Sequence, residues 1–251
     1  MRSCIFCGGR ASTIEDAWPL WLMRQMGETP AGRIEAERGR LGTQFWQAVK
    51  PELRVKFVCA NCNNGWMSQL EDRVKPIIEA LYNKETVTLD SNDQITLAVW
   101  SLKNAMVFES LRPNRLWFFV EAERRELMDT LKPIHHITVW IAKCVEPLTA
   151  FCVASDLTGV AGVSGDQVKA NVTTMCFGPL TIQVFSIKLP NTIPLDTTIT
   201  ADLRPGPWDN VTLQIWPPQQ EQVIWPATVG LLGEVGLVTF CERWNPTNTN
   251  G

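Results

Sequence analysis

The chain has 251 residues, a net charge of −3 and 45% hydrophobic residues, the composition of a soluble globular protein with core enough for one large domain or two ordinary ones. That acidity argues against a protein that binds nucleic acid along its whole length. No apolar run approaches the ~18 residues of a membrane span, so no membrane association is expected.

Up to Ala80 there are 11 Lys/Arg and 9 Asp/Glu, and beyond it 12 and 17. This asymmetry permits a basic, DNA-facing surface at the N-terminal end without demanding one. The eight cysteines divide into two C-x-x-C pairs, Cys4/Cys7 and Cys59/Cys62, and four singles at Cys144, Cys152, Cys176 and Cys241. The singles lie in apolar surroundings and read as small buried hydrophobes. The two pairs supply the four thiolates of a closed tetrahedral site, so structural Zn²⁺ is the expected cofactor. With no secretory signal, metal-bound thiolates in a reducing cytoplasm fit the cysteines better than disulfides.

In chain order, the first knuckle (residues 1–10) turns at Gly8-Gly9. Ser12 or Thr13, followed by Glu15 and Asp16, then predicts a capped helix with Pro19 in its first turn and Trp18, Trp21 and Leu22 on one face. The Gly- and charge-rich stretch 27–44 reads as a loop, and Lys50–Val58 as a strand delivering Cys59. After Cys62, apolar residues from Trp66 to Leu81 have helical spacing, with Pro76 as a kink or a new start. Trp66 and Met67 are expected to pack over the knuckle. A further helix is capped by Asn92 or Asp93 and striped by Ile95, Ala98, Val99, Leu102, Ala105 and Met106. Leu116–Val120 reads as a strand, Glu121–Leu131 as a helix and Ile137–Ala142 as a strand. Short β-rich runs follow at 150–154, 173–177, 181–187 and 211–216. The tail from Asn245 is expected to be disordered.

Cys4-x-x-Cys7, Glu15-Asp16-x-x-Pro19-x-Trp21-Leu22 and Cys59-x-x-Cys62-Asn63-Asn64-Gly65-Trp66-Met67-Ser68-x-Leu70-Glu71 together resemble a group of bacterial and phage HNH endonucleases. The likeness extends into Ala98-Val99-Trp100-Ser101-Leu102-Lys103. It implies a four-cysteine zinc site framing a ββα-metal core, with DNA as substrate and a divalent ion at the scissile phosphate. The histidine that serves such enzymes as base is replaced here by Asp16, and the only histidines are His135 and His136. Asp16 therefore reads as a weak base (a free carboxylate has pKa ~3.9), as a ligand beside Glu15 for Mg²⁺ or Mn²⁺, or as the mark of a silenced nuclease. Both acids are equally readable as first-turn residues favouring a helix dipole. Asn63 matches the asparagine that orients the base, or is a turn residue. Glu71 matches the last metal ligand, or closes a capping box with Ser68. One of the histidines reaching the site from the second half is a further possibility. Arg10, Arg24, Arg33, Arg38, Arg40, Arg54 and Lys56 are candidate phosphate contacts.

The expected architecture is α+β: a zinc-bound treble clef of HNH type over residues 1–82, then an α+β domain with an antiparallel sheet over 83–251. The expected function is a metal-dependent endonuclease with Glu15, Asp16, Asn63 and Glu71 at the metal. The alternative is a catalytically silent, zinc-stabilised module that binds nucleic acid, nucleotide or protein.

Overall fold

The structure is a computed structural model that describes residues 2–16, 19–25, 36–38, 44–47, 54–83, 85–111, 117–161, 166–189, 208 and 210–244. In chain order the elements begin with β1 (Thr13–Asp16), α1 (Leu20–Gln25), β2 (Ala36–Arg38), β3 (Gln44–Gln47) and β4 (Arg54–Val58). A short α2 (Ala60–Cys62) and a wide π-helical turn (Asn63–Met67) lead into α3 (Ser68–Asn83). Then come β5 (Val87–Leu89), α4 (Ser91–Glu109), α5 (Glu121–Thr130), β6 (Ile137–Ala161), β7 (Asp166–Lys188), β8 (Thr212–Trp216), β9 (Val223–Trp225) and α6 (Gly233–Glu242). The protein is thus mixed helix and sheet, with antiparallel sheets.

The segment carrying Glu15 is a strand rather than the expected helix start. β1 pairs antiparallel with β4, Glu15 opposite Val55 and Asp16 opposite Arg54. The helix begins only after Pro19, whose carbonyl accepts from the amides of Leu22 and Met23. Partnering with β4, non-local in sequence, overrides the local capping signal. Likewise 36–38 and 44–47, inside or beside the expected loop, pair as β2 and β3. Trp117–Val120 is irregular, not a strand. α3 runs through Pro76, and the helical path is broken instead at Gly65 (φ −97°, ψ −112°). The tail from Asn245 lies outside the described residues.

α4 is the central helix. Asp90 caps it by accepting from the Asp93 amide at 2.9 Å, while the Asp93 carboxylate accepts from the Asp90 amide at 3.4 Å. The cap therefore lies two or three residues before the expected Asn92 or Asp93. Every residue from Thr96 to Glu109 is buried, the behaviour of a helix surrounded by other elements rather than lying on a surface. Its polar side chains must find partners inside the protein. Gln94 donates to the carbonyls of Leu89, Gln220 and Glu221, and Ser101 to that of Leu97. Glu109 meets Arg124 of α5 at 2.6 Å, and accepts from the amides of Phe118 and Phe119. Burial pulls the Arg124 guanidinium down to about 10, against the opposing pull of Glu109.

β6 is the spine of a five-stranded antiparallel sheet. β7 covers one edge from Ile137↔Ser186 to Ala161↔Asp166, and the other edge carries β8 near its start and β3, followed by β2, further on. The separate strands expected at 137–142 and 150–154 are one strand, irregular in register between Lys143 and Phe151 around Pro147. The runs 173–177 and 181–187 are likewise joined. Gly178, at φ +55°, carries the bend between them, and a Cβ there would come within 2.8 Å of the Tyr82 ring on α3. Apolar packing is continuous across residue 82, from Phe6, Val58 and Leu70 through Trp100 and Val107 to Val139, Ile182 and Trp225. Among the described residues no helix is long and apolar enough to cross a membrane.

Candidate metal centre and adjoining cavity

The N-terminal knuckle closes through Gly8, at φ +75°, whose amide donates to the Cys4 carbonyl at 3.0 Å. It is fastened to β4 by the Ile5 amide, which donates to the Phe57 carbonyl at 2.9 Å. β4 delivers Cys59, and α2 turns Cys62 back towards it, the Cys62 amide donating to the Cys59 sulfur at 3.4 Å. The sulfurs of Cys4, Cys7, Cys59 and Cys62 all lie within 4.8 Å of one another. The Cys7–Cys59 separation of 3.4 Å is far beyond the ~2.05 Å of a disulfide. Thiolates held ~2.3 Å from a zinc ion stand about 3.8 Å apart at the corners of a tetrahedron. The cluster therefore fits Zn²⁺ by donor type, count and spacing, and no corner is left for substrate. Phe6 and Trp66 meet edge to face at 5.0 Å, so Trp66 packs on the knuckle as expected, and Met67 is buried and lines the adjoining cavity.

The thiols are unequal. Burial opposes ionisation of Cys59, but the Cys62 amide and the neighbouring thiols outweigh it and bring Cys59 down to about 7. Burial and the charge of Cys4 push Cys62 up. A dication bound by the four sulfurs would draw off the protons that remain.

Beside this centre lies a cavity of about 290 Å³, lined by Glu15, Trp21, Asn63, Asn64, Ser68 and Glu71 among others. Glu15 comes from β1, Asn63 and Asn64 from the π-helical turn, and Glu71 from the first turn of α3. Ser68 and Glu71, three residues apart in α3, share a face. Three of the four expected catalytic residues (Glu15, Asn63 and Glu71) thus border one space. Asp16 ends β1 next to them, and the structure describes its backbone alone.

The residue that sequence reading missed is Lys103. It enters from α4, is 1% exposed, and its Nζ lies 3.0 Å from Glu71 Oε1 and 3.9 Å from Glu15 Oε1. Glu71 does not close a capping box with Ser68, whose φ and ψ (−61°, −44°) are already helical and whose amide donates to the carbonyls of Asn63 and Gly65. Lys103 does not line the cavity. It holds the carboxylates from the buried side, while Glu71, 24% exposed in its side chain, opens on the other. Two carboxylates and a side-chain amide offer hard oxygen donors, the donor type that suits Mg²⁺ or Mn²⁺.

His135 and His136 stand exposed in the turn before β6, and neither borders the cavity. Arg10, Arg24 and Lys56 are exposed. Arg33 and Arg40 lie outside the described residues, and Arg38 and Arg54 are described by backbone only.

No protein-family model and no curated protein matches the chain. Among solved structures, it aligns with the full-length peroxisomal multifunctional enzyme type 2 from Drosophila melanogaster at 16% identity, over 52% of this chain and 29% of that one, with a TM-score of 0.15. The alignment spans under a third of that enzyme, and a likeness of this size carries no argument about fold or activity.

Proposed function

We propose that the protein is an HNH-type endonuclease, its cysteine quartet the zinc staple of a treble clef and its cavity the site of phosphodiester hydrolysis. The supporting observation is that Glu15, Asn63 and Glu71, drawn from a strand, a turn and a helix, border one cavity beside the four sulfurs. DNA as the substrate rests on the resemblance of the motifs. Bound in this cavity, Mg²⁺ or Mn²⁺ would supply charge neutralisation for a phosphodiester. Glu15 and Glu71 are the residues that would hold it, Asn63 would orient neighbouring groups through its amide, and Asp16 takes the position of the base.

The second reading, a zinc-stabilised binding module without cleavage, is favoured by one observation: the ammonium of Lys103 already balances part of the carboxylate charge. Nicking of supercoiled plasmid in Mg²⁺ and in Mn²⁺ separates the two. Under the nuclease reading the native protein nicks, and Asp16→Ala loses at least ~100-fold, the usual scale of a general-base contribution. Native protein that is silent while Asp16→His is active points to a scaffold that has lost its base. Silence from all three leaves the binding module.

A further inference from the structure

We propose that Lys103 is a positioning residue that acts as a built-in counter-cation, setting how tightly the cavity takes a divalent ion, a role that rests on the reading of that cavity as an ion site. Its ammonium is fully buried, 3.0 Å from Glu71 and 3.9 Å from Glu15, on the side of the carboxylates away from the opening. A lysine so placed does two opposing things. It holds two like charges side by side in the absence of an ion, which unaided would repel. It also lowers by one unit the negative charge presented to an incoming dication. Coulomb interaction over a few ångströms in a partly desolvated site is large, so the second effect dominates the affinity. An ion entering the cavity competes with Lys103 for Glu71.

Lys103 is supplied by α4, beyond the cysteine-bearing segment, so the charge of the cavity is set by the helix at the centre of the fold. A salt bridge serving stability alone would have a different signature: its removal would weaken the fold and leave ion binding unchanged or poorer.

The test uses the full zinc-loaded chain and Mn²⁺ as the probe, with free Mn²⁺ read by electron paramagnetic resonance. Lys103→Met, which keeps the length and apolar stem without the charge, is expected to bind Mn²⁺ at least tenfold more tightly than the native protein. Mn²⁺ is also expected to raise the melting temperature of this variant more than that of the native chain, because the ion replaces the missing ammonium. Adding Glu71→Gln should erase the gain, and Lys103→Arg, which keeps the charge, should stay within about threefold of native affinity. Unchanged or weaker Mn²⁺ binding in Lys103→Met overturns the proposal, as does a gain that survives Glu71→Gln. So does a Lys103→Met chain that stays unfolded in millimolar Mn²⁺. Plasmid nicking is scored separately. Tighter Mn²⁺ binding with no cleavage by any variant sinks the nuclease reading and leaves the role of Lys103 standing, whereas cleavage with unaltered Mn²⁺ affinity does the reverse.

Discussion

Cys59 has three connections in the N-terminal segment. Its sulfur accepts from the Cys62 amide and lies 3.4 Å from Cys7, and its carbonyl accepts from the Asn63 amide at the entry to the π-helical turn. Cys59→Ser is therefore expected to cost both the ion and the geometry of the turn. Metal analysis of the purified native chain should give one zinc per molecule, and the variant should retain little or none. Equal zinc in both would show that the ion is held elsewhere. The cysteines were legible in the sequence because ligand chemistry leaves few residue types and one spacing. Glu15, Asn63 and Glu71 were legible only through resemblance, since each has an ordinary local explanation. Lys103 was not legible. The stripe of Ile95, Ala98, Val99, Leu102, Ala105 and Met106 leaves it on what reads as the polar face, and only the packing around α4 shows that this face is buried too.

At the scale of elements, α4 shows what a helix buried on every face from Thr96 onward demands of its polar residues. Lys103, Glu109, Gln94 and Ser101 each find a partner. Asn104, 1% exposed, has neither amide atom hydrogen-bonded among the described residues. A buried group left in that state costs about 1–3 kcal/mol. Asn104→Leu, close in volume and without polar atoms, is expected to stabilise the chain by about that amount in urea unfolding. A destabilised variant would indicate that the amide is answered by a group outside the fold described. β1 and β6 show the other limit of local reading. Thr13–Asp16 carries a helix-start signal but is claimed by β4, some forty residues on. Gly178-Pro179 carries a break signal, yet its neighbours on both sides stay paired with β6. Strand pairing is a non-local choice, and neither propensity nor periodicity contains the partner.

Over the whole molecule, the apolar core makes no interruption where the cysteine-bearing segment ends, since Leu70, Val74 and Ile78 of α3 share it with Trp100, Ile182 and Trp225. Stripping the zinc with a chelator is accordingly expected to lower the melting temperature of one cooperative transition. Amide exchange in β6 and β7 should then accelerate together with exchange in β4 and α3. Two separated transitions, with the sheet unaffected, would mean that the cysteine-bearing segment melts on its own. The contact of Tyr82 with Gly178 gives this coupling a reporter. Tyr82 is the chain's only tyrosine, half-buried where α3 rests on the bend of β7, and burial raises its phenol above the ordinary value. Fluorotyrosine incorporation would thus yield a single fluorine resonance at the joint between α3 and the sheet, letting one spectrum follow that joint as zinc, Mn²⁺ or nucleic acid is added.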